Sequence, residues 1–500
     1  MNSFTILRSR IVHYPFFLSL ISGLLMGSAF LHPFLWWAGV LGLALFIFAI
    51  EYMPSRRRAF WYGTLAGSLK MLLVLEWFWS VYPLSWMGDF SPTLQIIGIG
   101  WMWLTASVVI GLGLGCFSYC VYPYTRHPYR YWILPVLYVA SEILGSTLFS
   151  IFEQGPGSMI NAHFSFGYLG YTFAQHGLIG LLALGTGVYT LSLFGALSAL
   201  FCKEVGKKYF AVPLPERRFP LRYATLLLLF LTTYFLPPLH PSDKGLTVTT
   251  VNTYFENQFN PPASLRAERV RALVDAFSHA LESETDVVIF PEAQNALSVF
   301  GTLENVSTFV QTKTSREVSI VDSDIRKSET GASVIRAVLY DTKSQTAGVR
   351  YKRYLVPGGE FVPDHLALTL SLFGFRETSN ALDTVMSFVP RDEDDVPESG
   401  MFPGVLFCSE NISPIDTFVA SREATLPLVA HPVSHAWFNT PHSLWYQFDS
   451  MLRTQVRMAR TPLVQAANMW ESRAYDSYGF PIEGEEVWKG ASTTVVQYKL

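Results

Sequence analysis

Residues 246–255 read Leu-Thr-Val-Thr-Thr-Val-Asn-Thr-Tyr-Phe, and at this stretch the chain changes from one material to another. Val, Thr and aromatic side chains in a short run fit a pleated, half-buried strand. Before it lie long apolar runs with few charges; after it come short β-rich runs separated by turn residues. The charge count sharpens the contrast, since residues 1–200 hold only 13 charged residues and the last 300 hold 62. The second figure is close to the roughly 25% of an ordinary soluble domain, whereas the first is far below it. A chain of 500 residues exceeds one ordinary domain. Aromatics at 15% and a positive mean hydropathy exclude a disordered chain, a basic nucleic-acid binder and a fully soluble enzyme. The reading is a membrane portion over residues 1–240 and an external domain over 241–500.

Working back from Leu246, apolar runs near the roughly 20 residues that cross a bilayer occur at about 12–31, 33–50, 59–83, 95–122, 131–151, 176–202 and 220–238. The first is retained rather than cleaved, because a second span follows at once and no clear small-x-small cleavage site separates them. Arg8 and Arg10 precede the first run, and Arg56, Arg57 and Arg58 follow the second. Arg126 and Arg130 follow the fourth; Lys203, Lys207, Lys208, Arg217, Arg218 and Arg222 separate the sixth from the seventh. The alternate loops, around residue 32, 84–94 and 152–175, contain no Lys or Arg. This alternation puts the N-terminus in the cytoplasm and, after an odd number of spans, the domain beyond residue 240 outside. Within the spans, Lys70, Glu76 and Glu142 need partners, because an ionisable group in hydrocarbon costs several kcal/mol. They fit either a polar cavity below an external site or interhelical hydrogen bonding and snorkelling. The Gly- and aromatic-rich loop 152–175 lies on the external side and is a candidate substrate-facing element.

Working forward, strands are expected at 246–255, 286–290, 318–325, 333–341, 404–408, 426–433, 462–469 and 493–498, and helices at 263–283 and 443–459. Strands interspersed with helices argue a layered α/β domain. The acidic segment 391–398 reads as a solvated loop. Cys116, Cys120 and Cys202 lie in or at the end of spans, so Cys408 is the one cysteine of the external domain. It is either a nucleophile or a buried structural thiol. No Cys or His pair has the usual metal-ligand spacing, so no metal is expected.

Three segments carry the chemistry. One strand ends in Phe290-Pro291-Glu292; a second segment reads YKRYLVPGGEFVP (351–363); a third strand ends in Phe407-Cys408-Ser409-Glu410. Each puts a reactive side chain where a strand runs into a loop, the usual place for catalytic groups in layered α/β folds. In this order, at separations of 60 and 56 residues, they resemble the Glu-Lys-Cys triad of the nitrilase (carbon-nitrogen hydrolase) superfamily. The membrane half and KRYLVPGGEFVP resemble one branch, the apolipoprotein N-acyltransferases. So do SEILGSTLF (141–149), GYTFAQHGLIGLLALGTGVY (170–189), SHAWFN (434–439) and RMARTPLVQAAN (457–468).

The resemblance implies an αββα external domain on a bundle of about seven spans in the bacterial inner membrane, with the catalytic domain periplasmic. It implies a monomeric enzyme without nucleic-acid partners and without a cofactor. Cys408 takes an acyl chain from a phospholipid as a thioester and passes it to the free α-amine of a diacylglyceryl-cysteine apolipoprotein. The thiol's ordinary pKa near 8.5 leaves it mostly protonated, so Glu292 serves as base and proton donor. Lys352 and the backbone N–H after Cys408 face the oxyanion. Glu360 and Glu410 are candidates to support Lys352 or the acceptor amine, Ser409 follows the nucleophile, and Trp437 is a candidate wall for an acyl channel. His435 reads as a structural histidine, and LALTLSLFGF (366–375), too short to span a bilayer, reads as an interfacial arm or a core helix. The chain departs from the family pattern at Gly358, where Phe is usual, at Ser409, where an aromatic is usual, and in NTYFENQFN (252–260); the family's C-terminal membrane helix has no counterpart before Leu500. Two other readings fit the departures: a nitrilase-like paralogue of the conjugal-transfer type with another acceptor or amidase activity, and a membrane assembly component without catalysis.

Overall fold

The computed structural model describes residues 15–84, 91–211, 245–256, 261–328, 331–375, 377, 382, 384, 386–391, 394–397, 399–439 and 441–500. The expected span 220–238, the residues Arg8, Arg10, Arg217, Arg218 and Arg222, and the division at residue 240 lie outside them. The N-terminal helices are α1 (Pro15–Ser28), α2 (Trp36–Ile50), α3 (Arg56–Val74), α4 (Pro92–Val121), α5 (Arg130–Phe152) and α6 (Val188–Ala211). Five helical stretches among the described residues are long and apolar enough to cross a membrane: Pro33–Ile50, Arg56–Val81, Pro92–Tyr124, Arg130–Phe152 and Val188–Lys208. The expected span 176–202 is corrected. Two single turns, Gly177–Gly180 and Leu181–Leu184, precede α6, which starts only at Val188, because Gly185-Thr186-Gly187 interrupts the apolar run and Gly187 takes φ +63°. Small residues let the helices approach closely, as is usual where no hydrophobic effect drives association. A Cβ on Gly67 of α3 would meet the Gly111 carbonyl oxygen of α4 at 2.5 Å.

The basic loops converge at one end of this bundle. Lys203 and Lys207 pair with Glu51, and Arg126 donates to the Glu51 carbonyl at 2.8 Å. The other end carries the second domain, built among the described residues from twelve paired strands. Strands β1 (Thr247–Thr253), β2 (Val287–Ile289), β3 (Ser319–Lys327), β4 (Ser333–Asp341) and β5 (Thr346–Tyr351) lie side by side, with β12 (Thr493–Lys499) and β11 (Glu485–Lys489) beyond β1. The other group is β6 (Gly404–Val405), β7 (Val429–Ser434), β8 (Leu463–Asn468), β9 (Arg473–Tyr475) and β10 (Pro481–Ile482). The groups join where Thr253 of β1 pairs with Asn468 of β8.

Period-two alternation sorts the side chains into layers. Val248, Val287 and Ile289 share one core with Val405, Phe407, Ala430, Val464 and Ala466, so the two groups of strands face each other. On the first group's outer side, Val251, Val288 and Ile320 pack under α7 (Ala263–Glu282) and α8 (Leu303–Lys313). On the second group's outer side, Leu406, Val429 and Leu463 pack under α10 (Asp416–Glu423) and α11 (His442–Ala459). The result is the expected αββα sandwich. Helix α11 also faces the bundle: its Leu444, Trp445 and Met451 share a core with Phe30, Met71 and Val74. Across this seam Gln447 donates to the Val74 carbonyl at 3.0 Å and the Ser443 hydroxyl donates to Glu76.

Two other expectations need correction, at Cys408 and at 391–398, and two open alternatives are resolved. Strand β6 stops at Val405 and Cys408 opens a 3₁₀ turn, Cys408–Ile412. The acidic stretch 391–398 is not simply solvated, since Asp394 accepts from Arg350, Arg353 and the Tyr351 N–H. Glu76 is held by Ser443, whereas Lys70 and Glu142 line a small cavity of about 30 Å³ with Tyr138, Ser141 and Tyr168. The stretch 366–375 falls largely in α9 (Asp364–Leu372). Its Leu366, Ala367 and Leu370 pack on Val362, Leu382 and Met386, while Leu368, Leu372, Phe373 and Phe375 are exposed.

Candidate active site

Three strand ends converge at the inter-sheet core. Glu292 follows β2, Lys352 follows β5, and Cys408 follows β6 by way of the fully buried Phe407. Glu292 and Lys352 thus come from one group of strands and the thiol from the other. After Glu292 the backbone is strained, with Ala293 at φ +61° and Asn295 at φ +55°. Such conformations cost about 1–3 kcal/mol and cluster at functional sites.

Lys352 is buried, and its ammonium donates to Glu292 Oε1 at 3.1 Å and to Glu360 Oε1 at 2.6 Å. Burial works against its charge, but Glu292, Glu360 and the neighbouring Cys408 outweigh that and raise its pKa. Burial, helped by Glu360, raises Glu292 above the ordinary carboxylate range, while Lys352 pulls it down. Cys408 is half-buried. Its Sγ reaches the Ser434 carbonyl at 3.7 Å and lies within hydrogen-bonding and electrostatic reach of Glu292. Burial and Glu292 hold the thiol well above its usual pKa, and Lys352 opposes them. The resting arrangement is a protonated thiol beside a carboxylate, with the Lys352 ammonium bonded to Glu292 and within electrostatic reach of the thiol.

The supporting residues take different places. Glu360 bridges side chain and backbone, since its other oxygen accepts the Val356 N–H at 2.9 Å. Glu410 is buried and touches backbone only: it accepts the Arg353 N–H at 2.7 Å and the Phe407 N–H at 2.9 Å, joining the Lys352 and Cys408 segments. Burial pushes its pKa up to about 7. The Ser409 hydroxyl turns back to the Tyr354 carbonyl at 2.8 Å. Gly358, where the family pattern has Phe, takes φ +71° in the turn closed by its N–H and the Phe361 carbonyl at 2.9 Å. Trp437 lies half-buried in the turn after β7. His435 is buried edge-on against the Trp445 ring at 4.3 Å, and burial lowers its pKa to about 3, so it is neutral.

The loop 152–175 supports the site from below. His163 stacks on Tyr354 at 5.0 Å, and a Cβ on Gly157 would strike Leu355 Cδ1 at 2.8 Å, which explains the glycine there. Sequence reading missed the Ser434 carbonyl, which no side-chain pattern signals, and the acidic partners of Arg350 and Arg353. Among the described residues no group of three or more His, Cys, Asp or Glu is arranged to hold a metal ion.

The chain is similar to known proteins in its N-terminal part and along most of its length. Residues 22–201 match the family model of the apolipoprotein N-acyltransferase N-terminal domain. An apolipoprotein N-acyltransferase of Gloeobacter violaceus is 24% identical over 457 residues, covering 89% of this chain and 80% of that protein. Among solved structures, an amidase from Nesterenkonia sp. matches at 13% identity and a TM-score of 0.36, covering 52% of this chain and 92% of that one. A mutant of the amidase from Nesterenkonia sp. AN1, with the acetamide moiety of fluoroacetamide added covalently at its active site cysteine, matches at 14% identity and a TM-score of 0.35. It covers 53% of this chain and 93% of that one.

Proposed function

We propose that this chain, a divergent member of the apolipoprotein N-acyltransferase family within the nitrilase superfamily, is a multi-pass inner-membrane enzyme with its sandwich on the periplasmic side. It moves an acyl chain from a phospholipid, through a thioester on Cys408, to the α-amine of a diacylglyceryl-cysteine apolipoprotein. The observation that carries the reading is the buried cluster of Glu292, Lys352 and Glu360 beside the half-buried Cys408. As Sγ attacks the ester carbonyl, Glu292 takes the thiol proton, so the high pKa of Cys408 is overcome in the attack itself. The developing oxyanion faces the Lys352 ammonium, which Glu360 keeps oriented. Collapse expels the lysophospholipid oxygen, which recovers the proton from Glu292. The amine then attacks the thioester, Glu292 receives its proton, and the thiol re-forms as the amide leaves.

The test is the intermediate. Incubated with phospholipid and no acceptor, the protein gains one acyl mass that neutral hydroxylamine removes, and Cys408→Ser does not. An unchanged wild-type mass while acceptor acylation proceeds refutes the covalent route. A reporter joined after residue 245, active only outside the cytoplasm, tests the orientation.

A further inference from the structure

Lys352 follows β5, and β5 is the last strand on its side of the sheet. An edge strand leaves one row of backbone groups without a sheet partner, so the position of Lys352 depends on what covers that row. The cover comes from the acidic stretch. Val349 and Asp395 exchange backbone hydrogen bonds at 2.6 and 2.9 Å, and the Tyr351 N–H donates to Asp394 Oδ1 at 2.9 Å. The guanidinium groups on either side of Lys352 are tied to the same two acids. Arg350 Nη1 donates to Asp394 Oδ2 at 3.0 Å and to Glu423 Oε2 at 2.7 Å. Arg353 Nη2 donates to Asp394 Oδ2 at 3.0 Å and to Glu423 Oε1 at 2.9 Å. Two cations and two anions form a closed, locally neutral set of charge-assisted bonds.

Glu423 ends α10, which lies so close on β6 that a Cβ on Gly404 would meet the Ala420 carbonyl oxygen at 2.0 Å. The set therefore links the strand before Lys352 to the helix resting on the strand before Cys408. We propose that Asp394 and Glu423 are positioning residues for Lys352. They hold the backbone on both sides of it and so set where the ammonium stands relative to Cys408 Sγ. The proposal rests on Lys352 facing the oxyanion, and it predicts an effect on the acyl step rather than on lipid binding.

A double-mutant cycle on the full-length protein tests it, reading acyl-adduct formation and alkylation of Cys408 by iodoacetamide. Asp394→Ala slows adduct formation roughly 3–30-fold, inside the roughly 2–150-fold that coupling of residues in contact produces, without changing the half-saturating phospholipid concentration; Asp394→Asn, which keeps an acceptor for Tyr351, recovers much of the rate. In a Lys352→Met background, Asp394→Ala changes alkylation no further. Equal slowing of alkylation in both backgrounds overturns the proposal, as does a raised half-saturating concentration at an unchanged maximal rate. If Asp394→Ala does not fold, Glu423→Gln carries the same cycle with a smaller expected effect and the same two overturning results. Should Lys352→Met itself acylate like wild type, the assignment of Lys352 fails first and the proposal goes with it.

Discussion

Two of the buried charged clusters in this molecule, Lys70 with Glu142 in the helical bundle and Lys352 with Glu292 and Glu360 in the sandwich, are solved differently. In the bundle, Glu142 accepts the Leu169 N–H at 2.7 Å, and Lys70 shares its cavity without forming an ion pair to it. In the sandwich, Lys352 meets two carboxylates directly. Burying charge is expensive in both places unless partners are supplied. The bundle uses a carboxylate to fasten an irregular turn, 169–173, between helices. The sandwich concentrates charge around a thiol left partly open. Buried charge alone is therefore a weak pointer to chemistry, whereas buried charge beside a reachable nucleophile is a strong one.

The comparison breaks most readily at the base. Glu292→Gln keeps the shape and removes the proton acceptor, so acyl-adduct formation falls by about 10²–10⁴-fold in a protein that still folds. Because burial raises the Glu292 pKa, the wild-type acylation rate falls with decreasing pH through a point above the ordinary carboxylate value of about 4.3. That acid limb disappears in the variant; a limb that persists assigns it to another group. Next in size is Lys352→Met, with a loss of about 10²–10³-fold. Alkylation of Cys408 also slows, and higher pH restores alkylation far more than acylation, since the oxyanion still lacks its cation. Wild-type behaviour in both assays would make the Lys352 segment merely structural.

The bundle cluster responds in stability. Glu142→Leu leaves the buried Leu169 N–H unpaired, which costs about 1–3 kcal/mol, seen as a lower Tm in detergent, while the folded fraction still forms the adduct. Loss of the adduct in folded Glu142→Leu would mean that the bundle cluster serves the chemistry after all. The smallest effect is at Gly358, where φ +71° disfavours any side chain; Gly358→Ala lowers stability by about 1 kcal/mol.

Much of the fold is legible in the sequence. Spans announce themselves because lipid demands continuous apolar runs, Glu292 and Cys408 stand out where strand-like runs stop, and Lys352 is marked by the segment YKRYLVPGGEFVP rather than by a strand. What stayed hidden depends on contacts distant in sequence. Glycines 185 and 187 vanish inside an apolar average, yet they move the start of α6 to Val188. Strand β5, TAGVRY, has too few branched residues to stand out, and β9 and β10 are 3 and 2 residues long. The stretch 391–398 looks like solvent-loving acid until Arg350 and Arg353 are placed against Asp394.

Helix α11 has a consequence for how the protein is made. It closes the sandwich with Leu452 and Val456, and nearer its start Leu444, Trp445 and Met451 complete the bundle core. The ribosome delivers residues 15–211 long before α11, and chains mature in that direction. The bundle is thus the template on which the last layer of the sandwich is laid, and membrane insertion precedes completion of the catalytic fold. A fragment beginning near residue 245 would carry the same active-site residues but leave Leu444, Trp445 and Met451 bare to water, a patch that invites association.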